Sequence, residues 1–243
     1  MTESAIRPGD AAGAETLEIM AMAPRYNRWQ YAVIAPWIGQ RVLEVGAGVG
    51  NMSAHIVAAG RAHVVLADTD AWYRGELVRR FRGRPEVSVE SLTLPDPGAP
   101  LRLASHQLDT VVALNVVEHI DDHVVAIRTM RELVRPGGRV IILVPALPGI
   151  YGTLDRELGH FRRYTRDSLS AACQAAGLRV ERLAWFNRVG TVGWWFNARV
   201  RKAGRIPLMQ LKAFDLLVPF LRLERFLPLP FGQSLFVVGR RDA

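Results

Sequence analysis

Cysteine and lysine are scarce in this sequence of 243 residues. Cys173 is the only cysteine, which excludes an intramolecular disulfide and a metal cluster built from cysteines. It lies in an alanine-rich stretch with a helical pattern, so we predict a small, buried, apolar side chain there. The length allows a full core, and one domain with an elaboration is the simplest organisation.

The sequence also lacks a long uninterrupted apolar run. Charges break the most apolar stretch, residues 188–232, at Lys212, Asp215, Arg222 and Glu224. This stretch is therefore not predicted to span a membrane. No leader with charged, apolar and small-residue regions opens the chain, which favours a cytoplasmic location. Residues 1 to about 15 have a composition typical of disorder.

The net charge of +8 comes almost entirely from arginine, because Lys202 and Lys212 are the only lysines. A general preference for arginine in the composition is one explanation of this positive charge. The other is a negatively charged partner, such as nucleic acid, anionic lipid or an acidic substrate. The arginines are scattered and no nucleic-acid-binding motif accompanies them, so nucleic acid is not an expected partner.

Three glycines at alternate positions follow the apolar run Val42–Val45. The pattern predicts a buried parallel strand, a tight turn and a helix that starts near Asn51 or Ser53. Glycine tolerates a positive φ and lets a ligand approach the backbone, and free N–H groups at a helix start can hold an anion or hydroxyls. The spacing is G-x-G-x-G after Glu44, whereas a dinucleotide fingerprint is G-x-G-x-x-G; Asn51 occupies the third glycine position.

Three later features follow in order. A second buried strand, residues 63–67, leads to Asp68, about where a nucleotide-binding sheet needs a carboxylate for ribose hydroxyls. The alternative is that Asp68 or Asp70 caps the next helix. A fourth strand, residues 108–115, continues into N-V-V-E-H-I, and R-P-G-G then turns the chain into a fifth strand, residues 139–144.

Taken together, these features resemble the class I S-adenosyl-L-methionine (SAM) dependent methyltransferases, in particular the ubiquinone-biosynthesis type. The resemblance implies an α/β fold with a Rossmann-like, seven-stranded, mostly parallel sheet, an antiparallel terminal strand and helices on both faces. The resemblance covers a SAM-binding core, residues 40–187, and a last core strand, residues 233–243. Residues 1–39 are expected to form an N-terminal segment with a lid helix. The long connection over residues 188–232 is unusual for the family, and we predict a helical insertion there.

The cofactor implied by the resemblance is SAM, with S-adenosyl-L-homocysteine (SAH) as product. The residues expected to contact it are Tyr26, Trp29, Glu44, Gly46, Ala47, Gly48, Gly50, Asn51, Asp68, Thr69, Ser91, Leu92, Asn115 and Val116. Tyr26, Asn27 and Trp29 would form a lid over the cofactor, although aromatic packing of an N-terminal helix explains this segment equally well. Ser91 replaces the usual aspartate of the family, so either Glu90 or the Ser91 hydroxyl would have to contact adenine.

Residues 145–164 form a long predicted loop containing the string G-H-F-R-R-Y, which many members of the family share. Long loops in compact domains tend to be functional. The residues expected to contact the methyl acceptor are Glu118, Tyr151, Arg162, Arg163 and Tyr164. The two arginines suit a carboxylate or phosphate on the acceptor, or they form ion pairs with Asp155 or Glu157.

His119 and His160 are the candidate catalytic bases, because a hydroxyl acceptor must lose its proton at or before methyl transfer. The alternatives are packing at a helix end for His119 and hydrogen bonding within the loop for His160. His119 and His123 would share one face of a helix, as in a zinc pair. The H-E-x-x-H pattern and a third ligand are absent from the sequence, so no metal is expected.

We therefore expect a SAM-dependent methyltransferase that acts on a small molecule, with transfer to oxygen favoured. The alternatives are carbon or nitrogen transfer to a lipid-like or membrane-associated acceptor, and a non-catalytic SAM-binding partner. An NAD-dependent oxidoreductase is disfavoured by Asn51. The 188–232 insertion is predicted to form two amphipathic helices that cap the pocket, pair two subunits or lie on a membrane surface, with the first two roles favoured.

Overall fold

The computed structural model describes residues 19–196, 208–226 and 229–242. The predicted disorder of residues 1 to about 15 lies outside these ranges, and so does part of the predicted insertion, at residues 197–207 and 227–228.

Seven strands form one mixed sheet in the order β3-β2-β1-β4-β5-β7-β6. The strands are β1 (Arg41–Val45), β2 (His63–Asp68), β3 (Val87–Ser91), β4 (Thr110–Leu114), β5 (Arg139–Pro145), β6 (Arg179–Phe186) and β7 (Ser234–Arg240). Neighbours among β1 to β5 are parallel, whereas β7 is antiparallel to both β5 and β6. The Rossmann-like sheet with an antiparallel terminal strand is confirmed.

Helices cover both faces of the sheet. They are α1 (Pro24–Ile34), α2 (Asn51–Ala58), α3 (Ala71–Arg80), α4 (Ala99–Arg102), α5 (His123–Leu133), α6 (Thr153–Glu157), α7 (Arg166–Ala175), α8 (Arg188–Trp195) and α9 (Leu208–Leu221). Alternate residues of each central strand enter different cores, as Leu43 and Val42 illustrate: Leu43 packs in the core with α5 and α7, and Val42 packs in the core with α1, α2 and α3. Burial on both faces explains why these strands read as continuous apolar runs.

Helix starts follow the local capping chemistry. Asp70 accepts a hydrogen bond from the Trp72 N–H at 2.7 Å and begins α3. Thr165 and Ser168 form a reciprocal capping box at the start of α7. The sequence offered Asp70 as such a cap. The first helix begins at Pro24, which suits a first helical position because its missing N–H needs no partner there.

His119 and His123 do not lie on one helix, which corrects the expectation of a shared face. His119 ends a short 3-10 turn, and Ile120 is extended. Helix α5 begins only at His123, because the Asp122 side chain accepts a hydrogen bond from the Val125 N–H at 3.2 Å and fixes the start there.

The described part of the insertion contains the two predicted helices, α8 and α9, followed by a 3-10 turn, Arg222–Phe226. Helix α9 packs against α1 and leaves apolar side chains exposed, among them Met209, Leu216 and Phe220. Among the described residues, no helix combines the length and hydropathy needed to cross a bilayer. The role of the insertion stays a prediction.

Two glycines allow the backbone contribution to stability to be measured. Gly75 is exposed inside α3, and a Cβ there would meet no atom within 4 Å. Gly60 follows α2 with φ +68°, and a Cβ there also meets open space. We expect Gly75→Ala to raise the free energy of unfolding by about 0.5–1 kcal/mol. Gly60→Ala should lower it by about 1–2 kcal/mol, because alanine resists positive φ. Urea unfolding followed by circular dichroism measures both, and equal effects would contradict the assignment of these backbone conformations.

Candidate functional site

A cavity of about 800 Å³ lies at the carboxyl ends of the parallel strands. Its walls come from the segments that follow β1, β2, β3 and β4 and from the N-terminal part of α1. Strands β1 and β4 are neighbours in the sheet. The chain continues from β1 to β2 on one side and from β4 to β5 on the other side, so a crevice opens between the ends of β1 and β4. The volume is in the range of a site for a small molecule or a cofactor.

The turn after β1 depends on glycine for two separate reasons. Gly46, Gly48 and Gly50 have φ values of +68°, +54° and +81°, a region that favours glycine. A Cβ on Gly46 would also lie 2.6 Å from Cγ2 of Val116, which follows β4. The main chain of the turn is therefore bare where it borders the cavity, with α2 starting directly after it at Asn51. This is a surface that backbone N–H groups can offer to a ligand.

Asp68 connects the end of β2 to this turn. One carboxylate oxygen accepts a hydrogen bond from the Gly48 N–H at 2.9 Å, and the other accepts from the Asp70 N–H at 3.0 Å. The carboxylate is buried but lines the cavity. Each oxygen has a second lone pair, so the group can still accept hydrogen bonds from a ligand diol.

Glu44 lies below the turn and also lines the cavity. The Ser53 hydroxyl in the first turn of α2 donates a hydrogen bond to its carboxyl group. Burial raises the pKa of Glu44 to about 7, against the opposing effect of the Ser53 hydrogen bond. Glu44 thus joins β1 to α2 and titrates near neutral pH.

A cluster of titratable side chains lines another part of the cavity. The imidazole rings of His119 and His160 meet edge to face, with centroids 4.7 Å apart. His160 Nδ1 lies 3.0 Å from Asp155 Oδ1, and the Arg163 Nε–H donates to the same oxygen at 2.7 Å. The Gly152 N–H donates to the other Asp155 oxygen at 2.9 Å. This arrangement places the His160 proton on Nδ1 and leaves Nε2 as an acceptor.

The two acids of this cluster have opposite environments. Burial alone would raise the pKa of Asp155, but the hydrogen bonds from His160 and Gly152 and the charge of Arg163 outweigh it and hold the pKa below its ordinary value. Glu118 is fully buried, and its carboxyl oxygens accept no hydrogen bond from another described residue. Burial raises the pKa of Glu118 to about 8, although the Arg163 charge opposes the shift.

Glu118, His119 and His160 each place one possible ligand atom within 4.8 Å of the others, so these three groups could hold a metal ion. The sequence analysis predicted no metal because it identified no third ligand. The contact between His119 and His160 arises only in the fold. The absence of a metal stays a prediction.

Most of the predicted site residues line the cavity. They are Tyr26, Glu44, Gly46, Ala47, Gly48, Asn51, Asp68, Thr69, Leu92, Asn115, Val116, Glu118, His119, His160 and Arg163. The predicted residues that do not line it are Trp29, Gly50, Ser91, Tyr151, Arg162 and Tyr164. Trp29 packs behind Tyr26, with its ring centroid 4.6 Å from that of Phe186. Ser91 is exposed at the end of β3.

The two loop arginines form ion pairs. Arg162 pairs with Asp121 at 3.1 Å rather than with Asp155 or Glu157, and it also contacts His123. Arg163 pairs with Asp155 with both side chains fully buried. Tyr151 donates its hydroxyl to the His160 carbonyl at 2.7 Å. Of the predicted acceptor-binding residues in this loop, only Arg163 therefore reaches the cavity.

Several cavity residues were missed by the sequence interpretation. They are Gln30, Thr93, Leu94, Trp194, Gln233 and Ser234, among others. Gln30 lies four residues after Tyr26 on α1, so helical spacing from Tyr26 was a usable signal. Trp194 and Gln233 reach the cavity from distant parts of the chain, for which no local signal exists.

Comparison with known proteins shows the family to which this chain belongs. A family model described as a methyltransferase domain matches residues 18–183, which is more than half of the chain. Similar curated proteins include a ubiquinone biosynthesis O-methyltransferase of Azotobacter vinelandii, 27% identical over 160 residues that cover 58% of this chain and 66% of that protein. The enzyme of the same name from Paracidovorax citrulli is 29% identical over 167 residues, covering 60% and 66%. The chain thus spans just under two thirds of the length of these relatives.

Solved structures agree on the fold. A complex of the Haloferax volcanii Trm112 methyltransferase activator with a putative methyltransferase matches with a TM-score of 0.64 and 14% identity over 98% of this chain and 100% of that chain. The methyltransferase CalH in complex with SAH matches with a TM-score of 0.56 and 18% identity over 84% and 51%. The chain therefore belongs to the methyltransferase domain family, within the class I SAM-dependent methyltransferases.

Proposed function

We propose that this protein transfers the methyl group of SAM to a hydroxyl oxygen of a small molecule, and that the hydroxyl proton passes to His160 beside His119. One observation carries the proposal: His160 is held by a buried Asp155 and meets His119 in the same cavity as the glycine turn and Asp68. The two relatives from Azotobacter vinelandii and Paracidovorax citrulli are both named as O-methyltransferases, which supports transfer to oxygen.

The glycine turn, the start of α2 and Asp68 form what we call the cofactor half of the site, and their chemistry fits SAM. When bound, SAM supplies a methyl carbon made electrophilic by a sulfonium. The bare turn and the start of α2 offer N–H groups to its amino acid part, and Asp68 accepts hydrogen bonds from its ribose hydroxyls. Leu92 and Leu94 are buried apolar side chains beside Asp68 in the lining and suit the adenine ring.

Proton removal relies on Asp155 and His160. The ionised Asp155 accepts the Nδ1–H of His160, so Nε2 is the atom that takes the acceptor proton. The same carboxylate stabilises the imidazolium that results. Arg163 acts through Asp155: its Nε–H binds this carboxylate, and its Nη1–H donates to the Ala146 carbonyl at 2.8 Å. Arg163 is thus a positioning residue in this proposal, rather than an anion-binding one.

Glu118 stays neutral in this mechanism. With a pKa of about 8 it is protonated at pH 7, so Asp155 and Arg163 balance each other as the charged pair of the cluster. An ionised Glu118 would add an unpaired buried charge to this cluster, which is costly.

Replacement of Asp68 tests the cofactor half. Asp68→Ala should weaken SAH binding by roughly 1–3 kcal/mol, because a charged hydrogen-bonding partner is lost. Asp122→Ala is the matched control, because Asp122 lies outside the cavity lining: it should lower the free energy of unfolding by about 1 kcal/mol through loss of the α5 cap and leave SAH affinity unchanged. Titration calorimetry with SAH measures the affinities. Unchanged binding in Asp68→Ala would remove this residue from the site.

The histidines are tested by turnover. His160→Gln should reduce methyl transfer to a hydroxyl acceptor about 100-fold to 10,000-fold, the usual contribution of a positioned base, with SAH affinity retained. His119→Gln should also reduce turnover, because it removes the ring against which His160 packs. His123→Gln is the control, because His123 lies outside the cavity lining. The assay uses SAM with a labelled methyl group and a panel of hydroxyl, amine and carbon acceptors. Transfer to amine or carbon acceptors alone, or full turnover in both variants, would contradict the proposal.

The Glu118 environment predicts a pH-dependent stability difference. Its pKa is about 8 in the folded state and ordinary in the unfolded state, so the folded protein holds an extra proton between about pH 4.5 and 8. Wild-type stability therefore falls as pH rises through this window, and Glu118→Gln escapes this loss. We expect the variant to gain up to about 1.4 kcal/mol per pH unit over wild type within the window. Urea unfolding at pH 5, 7 and 9 measures it; a constant difference would refute the assigned shift.

A further inference from the structure

Helix α1 receives its N-terminal cap from a distant part of the chain. Ala23 precedes the helix and supplies no side-chain cap. The Tyr26 N–H in its first turn instead donates to Asp215 Oδ1 on α9 at 2.8 Å. Asp215 is buried in a helix that is otherwise mostly apolar. A carboxylate at this position satisfies a donor that the helix leaves unpaired and complements the positive end of the helix dipole.

The same segment caps a second helix. Glu224, in the 3-10 turn directly after α9, accepts hydrogen bonds from the Arg188 N–H at 2.6 Å and the Val189 N–H at 3.4 Å in the first turn of α8. It is buried and also lies 3.6 Å from the Arg188 guanidinium. Two buried acids nine residues apart thus fix the starts of two different helices.

A side-chain contact also links α1 to the residues that precede α8. The Tyr26 ring on α1 packs against Phe186, with a centroid distance of 5.8 Å. Phe186 directly precedes Asn187, which caps α8 by accepting from the Gly190 N–H at 3.0 Å. The Tyr26 ring packs at the same centroid distance against Phe214 of α9, so the first turn of α1 contacts both the segment before α8 and the helix that carries its own cap.

Each helix carries part of the cavity wall. Helix α1 contributes Tyr26, Asn27 and Gln30, and it packs against α2, which begins at the glycine turn. Helix α8 contributes Trp194, whose ring lies 4.6 Å from the Arg163 guanidinium in the titratable cluster. Helix α1 thus borders the cofactor half of the site. Helix α8 borders the acceptor half, which is the cluster that contains His119, His160 and Arg163.

We propose that Tyr26, Asp215 and Glu224 are positioning residues that couple the two halves, so that binding of the cofactor against α1 orders α8 and its acceptor-side wall. The inference rests on the proposed cofactor site at the glycine turn. It requires cofactor and acceptor to strengthen each other's binding, because coupling between two sites is reciprocal. It also gives the 188–232 insertion a role within the site.

Hydrogen exchange of the full chain, followed by mass spectrometry with and without saturating SAH, tests the coupling without knowledge of the acceptor. In wild type, SAH should slow exchange at the turn, residues 46–51, and about fivefold or more in α8, as expected for a typical coupling energy. Asp215→Ala removes the carboxylate that caps α1 at a residue outside the cavity lining, so the turn should stay protected while most of the α8 protection is lost. Glu224→Gln should act in the same direction.

Asp122→Ala is the matched control, because it removes the cap of a different helix, α5, at a residue outside the cavity lining. Its α8 protection should equal that of wild type. If Asp215→Ala fails to fold, Asp215→Asn and Glu224→Gln report on the same link. Protection of α8 that is unchanged in the folded variants, or absent in wild type while the turn is protected, would overturn the coupling. Absence of protection at the turn as well would reject the proposed cofactor site and the coupling with it.

Discussion

The close approach of Gly46 to Val116 is the constraint on which the site depends. The turn after β1 and the segment after β4 meet where a Cβ on Gly46 would lie only 2.6 Å from the Val116 side chain. This contact closes the floor of the crevice between the two neighbouring strands, and Asp68 then fixes the turn from the other side through the Gly48 N–H. A bulkier residue at 46 would separate the strand ends and misplace the bare main chain that faces the cavity.

Features decided by near neighbours in sequence were predictable. Buried strands, the glycine turn and the Asp70 and Thr165 caps each depend on residues within a few positions of one another. The antiparallel end of the sheet came from the resemblance rather than from any local pattern. The same local reasoning failed at His119 and His123, where Asp122 starts a new helix and interrupts the expected face.

Pairings across long separations were not predictable. His119 meets His160, which is 41 positions away, and Tyr26 meets Asp215 across 189 positions. For Arg163 the sequence offered both an anion site and an ion pair, and the fold selects Asp155 by burying both groups. Sequence patterns identify which residues carry suitable chemistry, whereas packing decides which partners those residues meet.

The acids of the titratable cluster show how packing assigns different tasks to similar groups. Asp155 accepts three hydrogen bonds, from His160, Arg163 and Gly152, and these keep it ionised despite burial. Glu118 accepts none from another described residue, so burial keeps it protonated at neutral pH. Of the two, only the ionised acid can stabilise a positive charge on His160. Since both acids are buried near one guanidinium, the hydrogen bonds, rather than the chemical identity of the carboxyl groups, decide which one stays charged beside His160.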